Sequence, residues 1–137
     1  MKQKLVLIYV LLLFSCSSIS DHSDDESFSH IVDKEVSLTK SLLVCESKPL
    51  KTQDAKQISY ELSYRRNSPN KCAFGTIIEK LPIGATIIIH RIEKHSILGT
   101  KPVEHWYFIG QSKFNNGELF DFYYFHGLTK NSDETPW

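Results

Sequence analysis

The chain has 137 residues, 41% of them hydrophobic and 23% charged, with 16 Lys+Arg against 16 Asp+Glu. Those figures fit one ordinary domain of modest size. Zero net charge and a sequence pI near 7.0 leave no basic field, which excludes nucleic acid and other partners chosen by bulk electrostatics.

The amino terminus reads as an export signal. Met1-Lys2-Gln3-Lys4 is a short basic start, Leu5 to Phe14 (LVLIYVLLLF) is an uncharged apolar run, and the small residues Ser15, Cys16, Ser17 and Ser18 follow. A spanning helix needs about 20 apolar residues, so a run of this length is too short to cross a bilayer. Leu13-Phe14-Ser15-Cys16 resembles the lipobox of bacterial lipoproteins, although Phe14 stands where a small or β-branched residue is usual. The resemblance implies cleavage of residues 1–15, acylation of Cys16 and attachment to a lipid bilayer. Ser17, which is not the aspartate associated with inner-membrane retention, implies an outer-membrane site facing the periplasm. The alternative is a soluble secreted protein cleaved near Ser18 or Ser20.

Residues 16–30 read as a lipidated, flexible tether. Ser17 to His30 (SSISDHSDDESFSH) is dominated by serine, aspartate and histidine, with few apolar anchors. Such a spacer would reach roughly 20 Å. His22 among Asp21, Asp24 and Asp25 can be read as a metal tail, but a solvated spacer is the commoner use of that composition.

Residues 31–137 read as the β-rich globular domain. Val36 to Cys45 is the first strand, closed by Lys48-Pro49. Ile58, Tyr60, Leu62 and Tyr64 alternate with polar residues, which favours a second strand, although Ala55, Ile58 and Leu62 also fit one helical face. Gly75-Thr76-Ile77-Ile78 leads through Leu81-Pro82-Ile83-Gly84 into Ala85 to Ile92 (ATIIIHRI), rich in β-branched residues.

Asn116-Gly117 predicts a two-residue hairpin turn joining Trp106–Asn115 to Glu118–Gly127. In that register Phe114 faces Leu119, Gln111 faces Phe122, Ile109 faces Tyr124 and Phe108 faces Phe125, and Gly110 opposite Tyr123 leaves room for a ring. One face then carries Trp106, Phe108, Tyr123 and Phe125 and is assigned to the core. The other gathers Tyr107, Phe122, Tyr124 and His126, an amphipathic set taken as the ligand-binding candidate. Ten of the 16 aromatic residues lie after position 105, so either both hairpin faces are covered or one is a recognition surface.

The stretch Gly75 to Gly84 (GTIIEKLPIG), the Ile-rich strand and His105-Trp106-Tyr107-Phe108-Ile109-Gly110 resemble the small barrels of bacterial SH3-like domains over Leu43 to Gly127. The expected fold is therefore mostly all-β, a small SH3-like barrel or sandwich of short antiparallel strands. Once Cys16 is set aside, export leaves Cys45 and Cys72 as an even pair in an oxidising compartment. A disulfide is the first reading, two buried thiols the other.

Hydrolase, metalloprotease and nucleotide-binding signatures are absent. His90, His95 and His105 near Glu93 and Glu104 invite a zinc reading, but odd spacing on a strand separates His90 from His95. The same parity separates His126 from Asp121. The sequence thus supports a non-catalytic binding module with no cofactor and no metal, facing a protein or cell-wall partner and including immunity-type inhibitors. A structural envelope lipoprotein is the second reading, a small periplasmic hydrolase the third.

Overall fold

A computed structural model describes residues 17–98, 101–131 and 135–137, and the lipobox and Cys16 lie outside them. The described chain is all-β, with strands β1 (Ser17–Asp21), β2 (Glu35–Ser37), β3 (Leu42–Lys51), β4 (Gln57–Ser63), β5 (Thr76–Leu81), β6 (Thr86–Ile97), β7 (Val103–Lys113) and β8 (Leu119–Gly127). The order is β1-β6-β7-β8-β4-β3-β5, with β2 also on β6. Every pairing is antiparallel except β4 with β8.

The strand path is open but curled. Glu35 to Ser37 pair with Thr86 to Ile88, Leu38 N–H donates to Ala85 O at 2.8 Å, Gly84 N–H donates to Leu38 O at 2.8 Å, and Leu42 pairs with Leu81. Through this corner two chain segments pass from one end of the sheet to the other, giving a barrel-like body. The expected single strand over Val36 to Cys45 is corrected accordingly. It breaks at residues 38–41, where the chain must turn the corner. The buried side chains of Leu42, Val44, Leu62, Ile87, Ile89, Ile92, Phe108 and Phe122 fill the interior.

The flexible tether is also corrected. β1 pairs residue by residue with β6, Ser17 with Ile97 through Asp21 with Glu93. Phe28, in a 3-10 turn over Glu26–Phe28, buries its ring against Trp106 and Phe108, with centroids 6.2 and 5.5 Å away. Asp25 caps that turn by accepting from Ser27 N–H, and it meets Lys130 Nζ at 2.5 Å. Lys130 and the Ser27 bonds hold the Asp25 carboxyl far below the usual carboxylate range. The main chain of β6 offered an edge to pair with, and one aromatic anchor sealed it.

The turn between β7 and β8 has three residues, not two. Gly117 N–H donates to Phe114 O and Phe114 N–H donates to Glu118 O, each at 2.9 Å, and Gly117 sits at φ +87°. A type I turn followed by a left-handed glycine is the next commonest hairpin connection. Pairing is therefore Lys113 with Leu119, Gly110 with Phe122 and Phe108 with Tyr124. Relative to the expectation β8 has slipped by one residue, which exchanges its two faces.

Trp106 and Phe108 are core residues as expected, but Phe122, Tyr124 and His126 join them inside, while Tyr123 and Phe125 move to the outer face. Gly110 has a different reason from the one inferred. A Cβ there would lie 2.0 Å from Ile88 O, because β6 bulges between Ile89 and Arg91 against it.

His126 stacks on Phe108 with centroids 4.5 Å apart. Its Nε2 lies 3.0 Å from Lys130 O and must donate, which leaves Nδ1 buried without a partner. Burial pushes the imidazole pKa below the usual histidine value. The folded state thus refuses a proton that the unfolded chain accepts, so stability is complete above the ordinary value of 6.5 and falls as pH drops below it.

Two outcomes follow from this packing. Tyr124→Ala and Phe108→Ala should each cost about 3 to 5 kcal/mol in denaturant unfolding, with Phe125→Ala within about 1. Unfolding at about pH 7.5 and about pH 5.5 should show a loss on acidification of at most about 1.4 kcal/mol per pH unit from this one proton, and His126→Gln should shrink it.

Candidate functional site

The outer face of the sheet is built from a cross-strand row. Ile77 pairs with Cys45, Cys45 with Glu61, Glu61 with Tyr123, and Tyr123 with Ile109, so five strand neighbours from β5 to β7 present side chains on one side. Two flaps lie over this face. The turn after β3 covers one end, where Gln53 N–H donates to Glu93 Oε1 at 3.0 Å, Arg91 reaches Asp54 at 3.1 Å and Lys56 reaches Asp121 at 2.5 Å. Thr52 and Arg91 hold the Asp54 carboxyl at about 2. The chain around Cys72 covers the other end, drawn down by the Cys45–Cys72 disulfide with Cα atoms 6.0 Å apart.

Between the flaps lies a pocket of about 220 Å³ lined by Glu61, Ala73, Phe74, His105, Tyr107, Tyr123 and Phe125. Its walls are rings set at steep angles: Tyr107 and Tyr123 are 6.0 Å apart at 82°, Tyr107 and Phe125 5.6 Å apart at 54°, and His105 and Phe125 5.5 Å apart at 81°. Glu61 supplies the one carboxylate. It is 8% exposed, and Ser47 Oγ, which donates to Phe74 O at 2.7 Å, lies 3.3 Å from its Oε2. Burial raises the Glu61 carboxyl pKa, opposed by Ser47 and Arg65. Burial and then the Glu61 charge raise the Tyr107 phenol and push Tyr123 up to about 12, so both hydroxyls stay neutral.

Beside the pocket, Glu93 is fully buried and holds His95 Nε2 at 2.8 Å and Arg91 Nε at 3.4 Å. The bulge in β6 brings Glu93 and His95 to this face, and His95 packs edge-on to Tyr107 at 4.8 Å. No hydroxyl or thiol is hydrogen-bonded to His95 among the described residues. His90 points elsewhere, pairing with Asp33 at 2.9 Å. No group of three or more metal-ligating side chains is assembled among the described residues.

Of the four ligand-binding candidates, only Tyr107 belongs to this face. Phe122, Tyr124 and His126 are in the core, because the slipped register turned them inward. Glu61 and Phe74 were missed. Glu61 occupies the polar side of an alternating strand, and its burial comes from the disulfide-held loop rather than from its neighbours in sequence. The available signal was Cys72-Ala73-Phe74, an apolar end to a polar loop tied to Cys45.

Reduction of Cys45–Cys72 releases a loop of about 28 residues and should cost roughly 3 to 4 kcal/mol in the chain-entropy account, lowering the melting temperature by many degrees. Thermal unfolding with and without reductant measures it.

No family model, no curated protein and no solved structure matches this chain.

Proposed function

We propose that the protein is an exported, lipid-anchored binding module of the bacterial cell envelope, non-catalytic, whose recognition surface is the outer face of β7, β8 and β4. The aromatic pocket with its single buried carboxylate is the observation that carries this reading. Rings and one charge, with no serine, threonine or cysteine among the lining residues, suit the capture of a ligand better than its chemical conversion. The basic start, the short apolar run and Leu13-Phe14-Ser15-Cys16 support export and acylation. A periplasm-facing outer-membrane site follows from Ser17 on the lipoprotein resemblance, and an immunity-type inhibitor is one form that such a module takes. The curled strand path supports a small barrel of the SH3-like kind. Loss of Lys2 and Lys4 with the signal leaves the basic side chains two short of the 16 acidic ones, which disfavours electrostatic adhesion to anionic lipid and leaves anchoring to the acyl chains.

Labelled palmitate should enter the protein, which should fractionate with outer membrane, and Cys16→Ala should abolish both. Unchanged membrane association of Cys16→Ala would remove the lipoprotein reading. Cross-linking in intact envelopes should recover a partner from wild type and less from Phe125→Ala.

A further inference from the structure

We infer that the pocket formed by Glu61, Tyr107, Tyr123, Phe125 and Phe74 takes the ammonium end of a lysine side chain presented by a partner protein, an assignment that rests on the reading of the outer face as a recognition surface. The charge argument comes first. A carboxylate offers about four acceptor positions, and the Ser47 hydroxyl 3.3 Å from Oε2 spends its one proton on Phe74 O at 2.7 Å. A cation entering the pocket supplies hydrogen bonds where water is scarce and the attraction is least screened. Aromatic faces attract an ammonium through the ring quadrupole, and a lysine stem can lie along them while its head reaches the charge.

Shape and rim select the source of that cation. About 220 Å³ admits the end of one side chain. At the mouth Phe74 is 76% exposed and Phe125 40%. A free amine would leave these apolar groups in water, whereas a protein surface around the lysine would cover them. An ethanolamine headgroup carries a phosphate next to its ammonium, which would set an anion against Glu61. A guanidinium prefers both oxygens of a carboxylate side by side, and Ser47 Oγ, 3.3 Å from Oε2, stands on one of those approaches. Arg65 borders the adjoining recess and acts on Glu61 through space, so it competes with the incoming charge.

The test titrates mature, disulfide-bonded protein with Nα-acetyl-lysine methylamide and follows the NMR resonances of the His105 and Phe125 rings. Saturable shifts with a Kd of about 1 to 10 mM are expected for a single side chain. Binding should weaken roughly fivefold or more in Glu61→Gln and for the Nε-acetylated probe, and strengthen in Arg65→Ala. Should Glu61→Gln fail to fold, Phe125→Leu decides, since it keeps volume but removes a ring face. Absence of saturation by about 50 mM overturns the assignment. So do equal binding of the acetylated probe, an unchanged Kd in the deciding variant, or stronger shifts with phosphatidylethanolamine vesicles than with the lysine probe. Partner recovery from envelopes that persists while lysine binding is absent removes the lysine and keeps the recognition surface. Lysine binding with no partner recovered removes the surface reading and the partner-borne lysine with it.

Discussion

A single glycine in the left-handed conformation decides what this molecule presents to its surroundings. Gly117, with φ at +87°, lets the chain close a three-residue turn from Phe114 to Glu118. That length fixes the register of β8 against β7. From the register follow the burial of Phe120, Phe122, Tyr124 and His126, and the display of Tyr123 and Phe125 beside Tyr107. A turn one residue shorter would reverse β8 and put the pocket rings into the interior, because strand side chains alternate with period two. The outer-face pocket depends on the same turn, since Glu61 meets Tyr123 only through the short parallel pairing of β4 with β8.

The strands themselves were legible. Isoleucine-rich runs, the Pro-Gly corner and the Asn-Gly pair located β4 to β8 to within a few residues, because those signals are local. What could not be read is where local signals allow two answers. Asn115-Asn116-Gly117 accommodates a two-residue loop through Asn116-Gly117 or a three-residue loop through all three, and only the packing of β8 against its neighbours β7 and β4 distinguishes them. Residues 17–30 failed for another reason. Composition describes side chains, whereas β1 is held by main-chain bonds to β6, which any sequence can make. Phe28 alone betrayed the segment, and one ring among serines and aspartates is easily discounted.

The candidate site was half legible. Tyr107 lies in an alternating, aromatic strand, and the Cys45–Cys72 pair followed from counting thiols. The burial of Glu61 and of Glu93 was not legible, since each is covered by a flap from a distant part of the chain. Gln53 and its turn cover Glu93, and the disulfide loop covers Glu61. Buried carboxylates are thus products of tertiary closure, invisible to periodicity.

The ordered amino-terminal strand changes how the domain would be mounted. β1 begins at Ser17, and Cys16 is one peptide unit away, a Cα step of about 3.8 Å. On the lipoprotein reading, an acyl chain on Cys16 is bolted to the edge of a folded sheet, without the slack of a spacer. The body then has little freedom to swivel or to reach outward. Its pocket keeps a restricted attitude to the bilayer, and the ligands it meets are those held at a matching height on the same surface, where confinement raises their effective concentration.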